Sequence, residues 1–200
     1  MTSILILFAH PAFERSRVHR QLVDAVADLP GVTVHDLYEA YPDFDVDVRR
    51  EQELLRAHDV IVLQHPFYWY STPPLVKQWE DLVLEHGWAY GTGGIALQGK
   101  RLLSAISAGG PQRAYCAAGS NRFSVRQLLA PLEQTARLCG MEYLPPFVVF
   151  GTHQLGKEQI GDAAAEYRRL IEALRDDRVD LDRARAQDCL PADVSGVLRS

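Results

Sequence analysis

Apolar positions recur along the chain in two alternating rhythms. "SILILFAH" (3–10) is continuously apolar and stops at a turn-like "HPAF", the pattern of a strand covered on both faces. "RVHRQLVDAVADL" (17–29) then sets Val18, Leu22, Val26 and Leu29 on one helical face. "GVTVHDLY" (31–38) reads as a second strand, "DVRREQELLRAHD" (47–59) as a charged surface helix and "VIVLQH" (60–65) as a third strand. Leu75, Trp79, Leu82 and Val83 return at helical spacing, with Pro73 or Pro74 in the first turn, where proline is tolerated. "KRLLSAIS" (100–107) is a fourth strand. A helix over 123–139 follows, which Pro131 must kink or split. "PFVVF" (146–150) is a short fifth strand, and an amphipathic helix over 157–176 closes the pattern.

Nearly all-apolar strands alternating with helices predict an α/β fold: a five-stranded parallel sheet with helices on both faces and the flavodoxin-like order 2-1-3-4-5. Residues 1–175 form one such domain. From 176 the character changes, with ten charged residues in the last 25, and a charged tail on the surface or on a partner is expected.

In sheets of this kind ligands bind beyond the carboxyl ends of the strands, beside the switch in strand order. Three loops converge there. "HPAFERSRVHR" sets His10, Arg15, Ser16, Arg17, Val18, His19 and Arg20 against the single acid Glu14, with Ser16 placed to cap a helix whose free amides favour an anion such as phosphate. A capped helix with exposed arginines is the plain alternative. The second loop, "HPFYWY", follows Pro66 with Phe67, Tyr68, Trp69 and Tyr70. Four successive aromatics fit neither a helix nor a strand, and they offer planar faces to a ring system such as isoalloxazine, or else a subunit contact. The third, Ser107-Ala108-Gly109-Gly110, brings unhindered amides close to a ligand, where they stabilise negative charge. Tyr115 lies five residues on and either donates a proton to a reduced acceptor or is a loop aromatic.

Composition narrows the classes. The formal net charge of −5 argues against nucleic acid as a partner. No apolar run reaches the ~20 residues of a membrane span, and the apolar opening has neither a basic leader nor a cleavage site, so no signal peptide is expected. The three cysteines form no C-x-x-C pair, which suits reduced thiols in the cytoplasm. The seven histidines, His10, His65 and His153 at strand ends among them, show no metal-ligand spacing, and no metal is expected. G-x-G-x-x-G and P-loop motifs are absent.

The loops "FAHP…S", "QHPFYWYSTPPLVKQWED", "HGWAYG" and "SAGG", in this order, resemble the flavodoxin-like NAD(P)H:quinone oxidoreductases. The similarity is greatest to the ancillary subunits of glutathione-gated potassium-efflux systems, whose "YPDFDVD"-like segment stands here at 41–47. The resemblance implies a homodimer with a flavin at each subunit edge, taking hydride from NAD(P)H and passing two electrons to a quinone or related electrophile. The short chain, with no feature assignable to an adenine pocket, favours FMN, with FAD as the alternative. It implies that Ser16 to His19, with His10, hold the flavin phosphate. Pro66 to Tyr70 would lie along the isoalloxazine and Ser107 to Gly110 on its polar edge, with "YPDFD" and "HGWAYG" facing the partner subunit. Some members assist proton transfer with a Tyr and a His six residues apart; here Tyr115 and Asn121 stand at those positions, and Asn cannot act as a general acid. A regulatory subunit docked at the inner face of the membrane on a potassium-efflux protein is the first alternative. A flavodoxin-type electron carrier is the second, disfavoured because the chain lacks strong acidity.

Overall fold

The computed structural model describes residues 1–199. Five strands form the path β2 (Val32–Asp36), β1 (Ile4–Phe8), β3 (Val60–Pro66), β4 (Arg101–Ser107) and β5 (Glu142–Tyr143), all parallel. A sixth, β6 (Phe147–Val149), also pairs with β4. The expected fifth strand is thus two pieces on one neighbour, with Pro145 and Pro146 between them. Proline cannot donate to a ladder, so the edge breaks there.

Side-chain alternation sorts the core into two layers. Ile4, Ile6, Phe8, Val60, Val62, Leu103 and Ala105 face α1 (Arg17–Val26) and α7 (Lys157–Arg175). Leu5, Leu7, Ile61, Leu63, Leu102 and Ile106 face the other layer, built by α2 (Leu37–Ala40), α3 (Val48–Ala57), α4 (Pro74–Val83), α5 (Val125–Leu128) and α6 (Ala130–Leu138). The break between α5 and α6 falls just before Pro131, whose missing N–H is no loss at a helix start. Beyond α7, the short α8 (Leu181–Arg185) leads into a segment whose Val179, Leu190, Val194 and Val197 are buried in the α1/α7 layer. The Leu190 amide donates to Pro146 O at 2.9 Å, so this segment also ties down the broken sheet edge. No helix among the described residues is long and apolar enough to cross a membrane.

Helix α3 departs from its reading as a surface helix, because Glu51 is fully buried. Its carboxylate accepts from Tyr41 Oη at 2.6 Å and Trp79 Nε1 at 2.8 Å, and lies 2.7 Å from His35 Nε2. Burial works against the charged form, but these three partners outweigh it and hold the carboxyl below the usual glutamate range. One side chain therefore joins β2, α3, α4 and the segment after α2, anchoring "YPDFD" at its first residue.

Replacing Glu51 with Leu strands three buried polar groups, and a loss of roughly 3–5 kcal/mol is expected in urea unfolding at neutral pH. A folded-state pKa below the unfolded value also fixes the sign with pH. The contribution is complete above about 4.5, the ordinary glutamate value, and is lost as pH falls through the depressed folded value. Wild-type stability should therefore fall on acidification by more than that of Glu51→Leu.

Candidate functional site

The parallel register brings the three loops to one edge. Phe8 of β1 pairs with Gln64 of β3, and Pro66 of β3 with Ser107 of β4. The ladder continues past the strands: Ala9 N–H donates to Gln64 O, Phe67 N–H to Ser107 O and Ala108 N–H to Val149 O, each at 2.9 Å. Two adjoining cavities of about 300 and 580 Å³ open along this edge. They share Pro66, Tyr68, Ser107, Thr152 and His153.

The larger cavity lies over the start of α1. Ser16 caps the helix, accepting from His19 N–H at 3.1 Å, and the Arg17 and Val18 amides in the first turn have no intrahelical acceptor. His10 Nδ1 accepts from Ala12 N–H at 3.1 Å, so in the neutral ring the proton sits on Nε2. Burial lowers the pKa of His10, and Glu14 only partly offsets it. Arg17 donates to Thr152 O at 2.8 Å, closing the rim between the first loop and the loop after β6. The set of first-turn amides, an imidazole N–H and nearby arginines suits a phosphate.

The aromatic loop owes its form to a turn. Tyr68 and Ser71 make an antiparallel bridge, and between them Trp69 and Tyr70 both have left-handed backbones, with φ of 48° and 65°. That is the conformation of a two-residue hairpin turn, where Asn-Gly is the easy choice. Phe67 is buried, whereas Trp69 is 93% exposed. Four consecutive aromatics are thus one residue facing inward and a strained turn carrying the others over the smaller cavity.

The glycine loop completes that cavity. A Cβ on Gly109 would lie 2.6 Å from His153 Nε2, so the two fit together only because the side chain is absent. The Gly109 amide has no acceptor among the described residues. Tyr115 packs between Phe67 and Phe150, with ring centroids 6.2 and 5.6 Å away. Tyr70 Oη donates to Asn121 Oδ1 at 3.2 Å. Burial raises the Tyr115 pKa, as does nearby Tyr70, while the neighbouring Asn121 and Gly110 act the other way. The phenol stays protonated at neutral pH.

Not every expected residue reaches the cavities. The His19 ring is buried, turned inward, and its amide is already given to Ser16. Ala108 is fully buried, and His65 points into the core, its Nδ1 3.0 Å from Pro66 O. Sequence reasoning missed Thr152 as a lining residue and weighed His153 only as a metal ligand. The signal was present, since His153 follows the last strand and that strand pairs with β4. No group of three or more His, Cys, Asp or Glu comes together at metal-binding distance among the described residues.

The match with known proteins agrees with this architecture. A family model described as the flavodoxin-like fold matches residues 2–173. The chain belongs to that family. A glutathione-regulated potassium-efflux system ancillary protein, KefG, from Pectobacterium atrosepticum is 46% identical over 164 residues, covering 82% of this chain and 90% of the relative. The crystal structure of general stress protein 14 from Treponema denticola in complex with FMN superposes with a TM-score of 0.82 at 42% identity, covering 86% of this chain and 99% of that one. An NADPH-quinone reductase from P. pentosaceus has a TM-score of 0.77 at 33% identity, covering 84% and 96%.

Trp69→Asn should relieve the turn while removing few packing contacts. A gain of about 1 kcal/mol in urea unfolding is expected, since Asn accepts the left-handed region more readily. A loss of stability would mean that the Trp69 ring packs in solution.

Proposed function

We propose that the protein is an FMN-dependent NAD(P)H:quinone oxidoreductase. The observation that carries this reading is the joining of a first-turn phosphate cradle and an amide-lined, aromatic-walled cavity along one sheet edge. The FMN complex of a 42%-identical neighbour and the NADPH-quinone reductase name of another support it. When bound, FMN supplies a two-electron acceptor and donor, able to take hydride from NAD(P)H and return it to a quinone or related electrophile.

In this reading His10 Nε2–H and the Arg17 and Val18 amides hold the phosphate, with Ser16 fixing their helix. Phe67 supports the loop from below, while Pro66, Tyr68, Trp69 and Tyr70 line the ring side. Ser107 and Gly109 face the polar edge of the ring, and Gly110 leaves room for the Tyr115 ring. Tyr115 presents a protonated phenol beside the acceptor, and Asn121 orients Tyr70 without titrating. The FMN complex of the 42%-identical neighbour supports FMN, whereas FAD would extend further along the basic rim at Arg15 and Arg20.

Residues 1–175 are the flavin-binding unit, and the charged stretch from 176 packs onto it through Val179, Leu190, Val194 and Val197 rather than trailing as a tail. The active form is a cytoplasmic homodimer, supported by the exposed Trp69, Ile95 and Phe123. A second reading, docking on a membrane potassium-efflux protein, is favoured by the 46% identity to an ancillary subunit of such a system. Loss of turnover with transporter activation retained would select it.

The first test is the visible spectrum of purified protein, without oxygen, before and after NADH or NADPH. A flavin band that bleaches in one step supports the proposal; protein that stays colourless after incubation with FMN overturns it. Ser16→Asp should abolish FMN retention by setting a carboxylate against the phosphate. Gly109→Ala should weaken FMN binding on the order of tenfold, because the added Cβ meets the His153 ring and displaces it from its place on the cavity wall. Tyr115→Phe should slow reoxidation by quinone in stopped flow while leaving FMN content unchanged.

A further inference from the structure

A chain of buried polar side chains runs from α7 to the cavity wall and is used by nothing described so far. Tyr167 Oη lies 2.8 Å from Gln64 Oε1, Gln64 Nε2 lies 3.5 Å from His19 Nδ1, and His19 Nε2 lies 2.9 Å from Ser107 Oγ. Tyr167 and Gln64 are fully inaccessible, His19 is 1% exposed, and only Ser107 reaches the cavities. Three buried polar residues in an otherwise apolar layer are unfavourable unless their hydrogen bonds are made, so the order of donors and acceptors is constrained.

Counting protons gives the direction. If Tyr167 donates to Gln64 Oε1, the Gln64 amide donates to His19 Nδ1, and the imidazole proton must sit on Nε2. His19 then donates to Ser107 Oγ, and the serine proton has to point away, into the cavity. The reverse order turns the Gln64 amide toward Tyr167 and strands the phenol proton, for which no other acceptor exists among the described residues. That leaves one more buried donor unpaired, so the first order prevails. Burial, reinforced by His10 and His65, keeps His19 neutral, which leaves it one proton to place.

We propose that Tyr167 and Gln64 are positioning residues that lock His19 in its Nε2–H form, so that Ser107 acts as a hydrogen-bond donor to an acceptor atom of the bound flavin. The donor role rests on the FMN reading above; the tautomer does not. Neither Tyr167 nor Gln64 touches the cavities, and both act through His19.

The test has one arm on apoprotein and one on FMN binding. Nitrogen-15 NMR of histidine-labelled apoprotein, with the His19 signals assigned by their loss in His19→Gln, should show the Nε2–H tautomer. Tyr167→Phe removes the group that orients the Gln64 amide and should convert this to a mixture or to Nδ1–H. Gln64→Met, close in volume, should do the same and serves if Tyr167→Phe does not fold. FMN affinity by fluorescence quenching should fall about five- to tenfold in Tyr167→Phe, and by a similar factor in Ser107→Ala. Tyr167→Phe should add nothing further in the Ser107→Ala background, an outcome that general loosening of the core would not give. An Nδ1–H tautomer in the wild type, or equal losses of affinity in both backgrounds, would overturn the proposal. Absence of FMN binding by the wild type would instead overturn the proposed function, and the tautomer would still be decided by NMR.

Discussion

The register between β3 and β4 is the constraint from which the site follows. It sets Pro66 opposite Ser107, and the backbone bond from Phe67 N–H to Ser107 O carries the pairing one residue beyond the strand. A slip of one residue would turn every inward side chain of β3 to the opposite layer. Gln64 would lose Tyr167, and the aromatic turn would no longer face the glycine loop. The strand buries Val60 and Val62 on one face and Ile61 and Leu63 on the other.

Each layer of this apolar body contains a buried polar assembly that ties distant segments together. On the α3/α4 side it is Glu51 with His35, Tyr41 and Trp79. On the α1/α7 side it is Gln64 with Tyr167 and His19. Apolar packing is non-directional and tolerates small shifts, whereas these groups are stable only with their partners at hydrogen-bond distance. The first assembly acts on stability. The second ends at the cavity, and there the same physics aims a hydroxyl. The opposite wall carries backbone strain, at Trp69 and Tyr70, where the backbone takes a conformation these residues resist, as it also does at Phe44, Arg122 and Asp177.

Much of this was legible in the sequence because it depends on local periodicity. The strand cores, the Ser16 cap, the division of the helix near Pro131 and the convergence of three loops all follow from residue order and the geometry of parallel sheets. The aromatic run fits no regular element, and it is a turn. Its actual form, a hairpin turn with one ring turned inward, depends on the Tyr68–Ser71 bridge, which no local pattern announces.

The sequence by itself determined the fold class, the sheet order and the edge at which the cavities open, because periodicity of apolar residues and the handedness of parallel crossovers leave few alternatives. Only the tertiary structure decided which polar residues are buried and what they face. Glu51 lies in a run of charges that reads as surface, and His19 among cations that read as a phosphate grip, yet both are inside. The pairs Glu51–Trp79, Gln64–Tyr167 and His19–Ser107 are separated by 28, 103 and 88 positions. Their meeting is set by strand register and helix packing, long-range quantities that residue spacing does not encode.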